Sequence, residues 1–449
     1  MPPILVFLIG IAVLMVLCVV FKVNAFISLL VTALVFGALT GMGGVEIVET
    51  ITAGFAGTVE SIGIVIIFGI MLGNYLDASK ATNRMALDTV RLVGQKRSGI
   101  AMSICGYIIS IPVFSDAAMV ILTPLVKSIH KRTRIPLAIL AVSLASGLLA
   151  THVYVPPTPG PLAAAGLLGI DIGEAILYGA FAAVFMTLFG TVFAHLFFKN
   201  KPDSYYSWRD DAEQKEEKEI SDGKDLMDDK DLPGTLASIL PLVLPLILIV
   251  GNTTCSMLLP EDSIMVAITS FIGDANVALA IGALLAVVFL GKRMGKDTVM
   301  KVVDKSLKEA GPIVFITAAG GSLGEVLSVS GAGADLASMV INTGLPFILI
   351  PFVISAILKI VQGSGTVAVT TAATLCAPIA SALGLNPILI FMASGAGARA
   401  CCHVNDSFFW VFTNCMGYDL RGGLKTLSLS GPVMALGGLF GTFLASLWL

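Results

Sequence analysis

Residues 4–21 and 24–43 contain no charged side chain, and apolar runs of this kind recur to the end of the chain. A run of about 20 apolar residues is long enough to cross a bilayer as a helix. Inside the hydrocarbon layer each backbone polar group needs a partner within the protein, which the helix supplies. The pattern therefore predicts an all-α polytopic membrane protein, with the lipid bilayer as its main partner. Composition agrees: 56% of the 449 residues are hydrophobic and 13% are charged, against about a quarter charged in a soluble protein. Mean hydropathy is +0.93. The net charge of −3 is confined to a few loops, and no basic domain points to nucleic acid. The apolar N-terminus lacks a positive leading segment, so it reads as a first membrane helix and not as a cleaved signal.

The apolar runs are interrupted twice in each half of the chain, at matching places. In the first half the interruptions are Ile111-Pro-Val-Phe-Ser-Asp116 and Thr151-His-Val-Tyr-Val-Pro-Pro-Thr-Pro-Gly-Pro161. In the second they are Gln362-Gly-Ser-Gly-Thr366 and Cys402-His-Val-Asn-Asp406. Leu72-Gly73 matches Leu323-Gly324, and His152-Val153 matches His403-Val404, both at a spacing of 251. Gly169-Ile-Asp matches Gly417-Tyr-Asp at 248. Several matches along one diagonal indicate an internal duplication. Residues 1–198 and 234–449 form the two transmembrane halves. Residues 199–233, with twelve acids and seven bases, form a solvated linker.

Charge orients the halves. The stretch 44–57 before the third span has no Lys or Arg, whereas 78–97 after it is basic. In the second half the order is reversed: 292–310 is basic and 331–344 is not. Lys and Arg favour the cytoplasmic side. This places 78–97, 127–134 and 292–310 in the cytoplasm, with 44–57 and 331–344 outside. The matched spans then cross in opposite directions, an inverted-topology repeat of the kind that builds a transporter site at the midplane. The stretch 264–290 reads as one further span.

Non-helical backbone at membrane depth is tolerated only inside protein or beside a water-filled cavity. Each interruption reads as the start of a half-helix. Ser115-Asp116, Thr158-Pro159, Ser364 or Thr366, and Asn405, Asp406 or Ser407 offer caps. Half-helix starts present free N–H groups and partial positive charge, which suits an anion. If they converge, they cage a carboxylate bearing several hydroxyls.

The substrate-binding candidates are Ser115, Thr151, His152, Thr158, Ser364, Gly365, Thr366, Arg399, His403 and Asn405. Asp116 is the first candidate for a coupling proton and Asp406 the second, because a carboxylate at membrane depth is costly unless it works. The structural alternatives are a plain N-cap for either aspartate and satisfied core histidines for His152 and His403. Lys359 and Arg399 can neutralise an anion, snorkel, or pair with an internal acid. Glu60 reads as interfacial, and Glu325, which matches Asn74, as part of a polar scaffold pair.

The seven cysteines show no CxxC spacing, so free thiols, no metal and no cofactor are expected. No HExxH, GxSxG or Walker sequence occurs, so no enzyme is indicated. With no ATPase module in the chain, an ion gradient must drive any uphill transport.

At its breaks the sequence resembles the gluconate permease (gluconate:proton symporter) family of the ion-transporter superfamily. The residues that carry the likeness are Val155-Pro-Pro-Thr-Pro-Gly-Pro161, Gly363-Ser-Gly-Thr-Val-Ala368, His403-Val-Asn-Asp406 and Phe409-Trp410. Phe21-Lys-Val-Asn-Ala-Phe26 and Ala53-Gly54 with Gly57-Thr58 are similar to the family's opening. The resemblance implies inner-membrane import of a sugar acid, gluconate or a related hydroxy-carboxylate, with protons. It implies re-entrant hairpins at 99–130 and 346–382, broken helices at 152–161 and 401–407, and a homodimer with a scaffold and a moving domain. The family pattern has His where Thr158 stands, Glu where Asp116 stands and a small or apolar residue near Arg399. These departures touch the site and leave D-serine and D-glycerate permeases of the same family as alternatives. Hydroxyl and backbone oxygens at the breaks also suit sodium, which keeps sodium-coupled carboxylate transport open.

Overall fold

The computed structural model describes residues 3–449 apart from 22, 95–96, 203–231, 261, 331–345 and 405. Most of the 199–233 linker, the 331–344 loop and Asn405 thus lie outside the described residues. Among the described residues every regular element is helical. Eight segments of the described residues are long and apolar enough to cross a membrane.

The first half begins with α1 (Pro3–Met15), a π-helical turn (Val16–Val20) and α2 (Ala25–Thr40). Next come α3 (Gly44–Ala78), α4 (Ala81–Val93), α5 (Ser98–Ile109), α6 (Ser115–Thr133), α7 (Leu137–Tyr154), α8 (Pro159–Leu168) and α9 (Ile172–Phe198). The second half comprises α10 (Thr235–Leu258), α11 (Ile264–Ile272), α12 (Ala275–Met294), α13 (Lys296–Val329), α14 (Leu349–Gln362), α15 (Gly365–Leu383) and α16 (Pro387–Gly397). It ends with α17 (Ser407–Met416), α18 (Leu420–Gly423), a second π-helical stretch (Leu424–Ser428) and α19 (Leu429–Ala445).

The sequence diagonal reappears in these bounds. Shifted by 251, α3 falls on α13, α5 on α14 and α6 on α15, each to within two residues. Shifted by 248, Pro159–Leu168 falls on Ser407–Met416 end for end. Helices α3 and α13 pack along each other, and α5–α6 and α14–α15 form two helical hairpins with tips at 110–114 and 363–364.

Three expectations change. The stretch 44–57 is no connection: α3 already starts at Gly44, where the Gly43 N–H donates to Glu46 and closes the first turn. The basic stretch 292–310 is mostly helix, because α13 starts at Lys296. The span at 264–290 is broken at Gly273, since Asp274 accepts from the Asn276 and Val277 N–H groups and starts a new helix.

The α7–α8 segment is the most enclosed of the spans, with 94% of its apolar window buried. Its sequence is apolar all round, as a helix surrounded by protein requires. Tyr154 is fully buried there, and its hydroxyl donates to the Met392 carbonyl at 2.9 Å, tying α7 to α16 across the two halves. This buried helix carries His152 and holds the break at 155–158 in place.

Candidate functional site

Three helices begin at one cavity of about 330 Å³. They are α6, α15 and α17, reached through the tips of both hairpins and the second broken helix. Their first-turn N–H groups lack partners within the helix and carry the positive end of its dipole. The break between α7 and α8 backs this wall: Gly160 at the start of α8 lies so close to α15 that a Cβ there would sit 3.2 Å from Thr366 Cα.

The caps differ in kind. Ser364 is the N-cap of α15, accepting from the Val367 N–H at 3.3 Å. Asp406 is the N-cap of α17, accepting from the Phe408 N–H at 3.0 Å. Ser115 is not a cap, because the helix already includes it and Phe114 holds the cap position. Thr158 occupies the N-cap position before Pro159, but its hydroxyl turns back and donates to the Val155 carbonyl at 2.6 Å.

The charged groups are concentrated on one side. Lys359 and Asp406 form a buried ion pair, with side chains 1% and 7% exposed. Lys359 also donates to the Gly363 carbonyl at 2.5 Å, so it stitches the hairpin tip to the broken helix. The same Asp406 oxygen accepts from the Cys402 thiol at 2.8 Å and lies 3.9 Å from Arg399 Nη2. An isolated charge at this depth is untenable, and the pairing permits it. Asp116 has a lighter set of partners: Ser407 Oγ donates to its Oδ2 at 3.0 Å, joining α6 to α17.

Several polar atoms at this cavity have no partner among the described residues. They are Arg399 Nε, His152 Nδ1 and both amide atoms of Gln362. Buried polar groups are normally bonded, so an unpaired set converging on one cavity marks a place for a ligand. Together with the helix starts, it offers donors for a carboxylate and a donor–acceptor amide for a hydroxyl.

Of the residues singled out from sequence, Ser115, Asp116, His152, Ser364, Gly365, Thr366, Arg399 and Asp406 line this cavity. Thr151, Thr158 and His403 do not. Thr151 is buried and donates to the Gly147 carbonyl at 3.1 Å. His403 is half-buried, with Nε2 2.8 Å from the Ile360 carbonyl oxygen. The candidate set omitted Lys359, Gln362 and Ser407. A lysine within an apolar run and an amide directly before a glycine break were the available signals. Glu60 is exposed on α3. Glu325 does not pair with Asn74, which instead donates to Ser306 Oγ at 3.1 Å and Glu309 Oε2 at 2.8 Å.

Comparison with known proteins places this architecture. The chain is 40% identical over 425 residues to an uncharacterized permease of Haemophilus influenzae, covering 93% of this chain and 86% of that one. It is 30% identical over 451 residues to a high-affinity gluconate transporter of Escherichia coli, covering 99% of each. Among solved structures, the YdaH transporter of Alcanivorax borkumensis has a similar fold, with a TM-score of 0.69 at 14% identity over 94% of this chain and 98% of that one. Residues 2–448 match the family model of the GntP family permeases. With its eight apolar spans, the chain is a multi-pass membrane protein and belongs to the GntP permease family.

Proposed function

We propose that this protein is a secondary active transporter that imports a sugar acid, gluconate or a close relative, together with a proton. The relative in Escherichia coli is named for gluconate. The observation that carries the reading is the charge set around the cavity. Lys359 and Arg399 supply two positive charges, and Asp406 and Asp116 two negative ones. These four charges balance when both aspartates are ionised. An arriving carboxylate upsets that balance in a poorly solvated place, where uncompensated charge is costly. A proton on Asp116 restores it. Asp116 fits this role better than Asp406, which is already paired with Lys359 and lies 3.9 Å from Arg399.

In this reading the carboxylate lies against Arg399 and the N-termini of α15 and α17. Gln362, Ser364 and Thr366 meet the hydroxyls. The two halves act as an inverted repeat, with α3 and α13 crossing in opposite directions and the site between them.

The test is uptake of labelled gluconate into proteoliposomes under an imposed pH gradient. Uphill uptake that a protonophore abolishes is the expected result. Uptake driven by a sodium gradient alone would replace the proton with sodium. No uptake under either gradient would overturn the sugar-acid reading. Asp116→Asn is expected to abolish accumulation while leaving substrate exchange; accumulation by this variant would remove Asp116 as the proton carrier.

A further inference from the structure

A second cavity, of about 470 Å³, lies between α3, α8, α13 and α15. Its walls carry hydroxyls, among them Thr58, Ser61, Thr374 and Ser381, and one titratable group, Glu325. The Glu325 side chain is exposed to the crevice and has no hydrogen bond or ion pair among the described residues. Helices α8 and α15 carry no charged residue, and none of the α3 acids Glu46, Glu49, Glu60 and Asp77 lines the cavity.

The duplication supplies an internal comparison. Shifted by 251, the position of Glu325 is that of Asn74 in the first half. There the space is filled. Asn74 is bonded to Ser306 and Glu309, and a Cβ at the adjacent Gly73 would strike the Pro112 carbonyl oxygen of the first hairpin tip. At the matching Gly324 the nearest atom to such a Cβ is Thr374 Cγ2, at 3.4 Å. Thr374 lies eleven positions beyond Gly363, the counterpart of Pro112. Of two related crevices, one is sealed by a hairpin tip and the other is hollow and holds a lone carboxylate.

The hollow crevice reaches the site along one helix. Thr366 lines the charged cavity and Thr374 lines the crevice. Between them is Thr370, one turn from each, and both Thr370 and Thr374 are almost fully buried. Thr370 donates to the Thr366 carbonyl at 2.9 Å and Thr374 to the Thr370 carbonyl at 3.0 Å. The result is a polar stripe through an otherwise apolar interface. The crevice also lies at the end of α13 away from its basic start at Lys296, Lys301, Lys305 and Lys308, which places it on the outer side.

We propose that Glu325 is the outer proton acceptor of the transporter, passing the coupling proton along the Thr374–Thr370–Thr366 stripe toward Asp116. The proton moves from solvent to the Glu325 carboxylate, then past the Thr374, Thr370 and Thr366 hydroxyls to the Asp116 carboxylate; no other bond changes. This inference rests on the proton-symport reading above.

The test compares wild type, Glu325→Gln and Glu60→Gln in proteoliposomes, using labelled gluconate. Glu325→Gln is expected to lose pH-driven accumulation, to retain exchange, and to lose the pH dependence of exchange. Glu60→Gln is expected to match wild type. Wild type that shows no proton-driven uptake defeats the symport reading and this inference with it. Wild type that accumulates while Glu325→Gln does equally well defeats the inference alone. If Glu325→Gln loses exchange as well, Glu325→Asp decides. Accumulation restored with a displaced pH optimum supports the relay, and failure to restore it overturns the proposal.

Discussion

The hairpin α5–α6 and the hairpin α14–α15 share a skeleton but not a chemistry. Their helices are 12 and 19 residues long in the first case and 14 and 19 in the second. Both tips reach the same cavity, and Ser115 and Thr366 occupy matching places in its wall. The charges do not repeat. At a spacing of 251, Lys359, Gln362 and Arg399 correspond to Ile108, Ile111 and Leu148, and Asp116 to Val367; at the 248 spacing of α8 and α17, Asp406 corresponds to Thr158. The duplication thus supplies the helix starts in pairs, while the side chains that discriminate charge occur once. In the transport reading, the second half holds the anion and the first half holds the proton.

The largest expected effect tests that division. Lys359→Met removes the cation from a buried pair and leaves Asp406 at 7% exposure beside Arg399 alone. Breaking a buried pair in this way costs about 3–5 kcal/mol. The matched Ile108→Met exchanges one apolar side chain for another and costs less than about 1.5 kcal/mol. Thermal unfolding of the two variants in detergent measures the difference. Equal losses would mean that the charges are not what distinguishes the second hairpin.

Much of this arrangement is legible in the sequence. Apolar runs gave the helices because lipid leaves the backbone little choice. The 251 spacing gave the matching helix bounds of the two halves. Polar or proline-rich breaks marked the places where Ser364 and Asp406 start helices. What escaped depends on which way a side chain turns. Thr151 and Thr158 sit at a break, as Thr366 does, yet both bond carbonyls of their own segment and leave the cavity wall. Lys359 was ambiguous because an apolar run cannot show that an acid 47 positions later lies against it. Asn74 was paired on paper with Glu325, its counterpart by repeat. A repeat relates equivalent positions but does not bring them into contact, and the side chain instead meets Glu309. The helical start of α3 was hidden by its glycines, which packing against α13 accommodates.

A smaller effect probes the two crevices. Gly73→Ala drives a methyl group into the Pro112 carbonyl, a backbone atom with little room to yield. Overpacking of this kind costs about 1–3 kcal/mol. Gly324→Ala meets Thr374 Cγ2 at 3.4 Å, an ordinary contact distance, and is expected to unfold at the wild-type temperature. If the two variants lose the same stability in detergent, the crevices are equivalent in solution and the sealed–hollow contrast fails.

The smallest effect concerns one pair of matched residues beside the breaks, Thr151 and Cys402. Both are buried and both donate a hydrogen bond, but to different groups. Thr151 bonds the Gly147 carbonyl of its own helix, which also serves the helix ladder. Cys402 bonds Asp406 Oδ2 at 2.8 Å, and its own carbonyl accepts from Ser428. Thr151→Val keeps the shape, so its cost is expected to be below about 1 kcal/mol, with substrate uptake at the wild-type level. Cys402→Ala removes a donor from the carboxylate that orients Lys359 and Arg399, so uptake is expected to fall although the thiol is a weak donor. Initial rates measured over a range of gluconate concentrations separate the two cases. A raised KM for Cys402→Ala alone fits an anion held from the second half. A raised KM for Thr151→Val would return its hydroxyl to the site and make the two halves more alike in chemistry than their charges indicate.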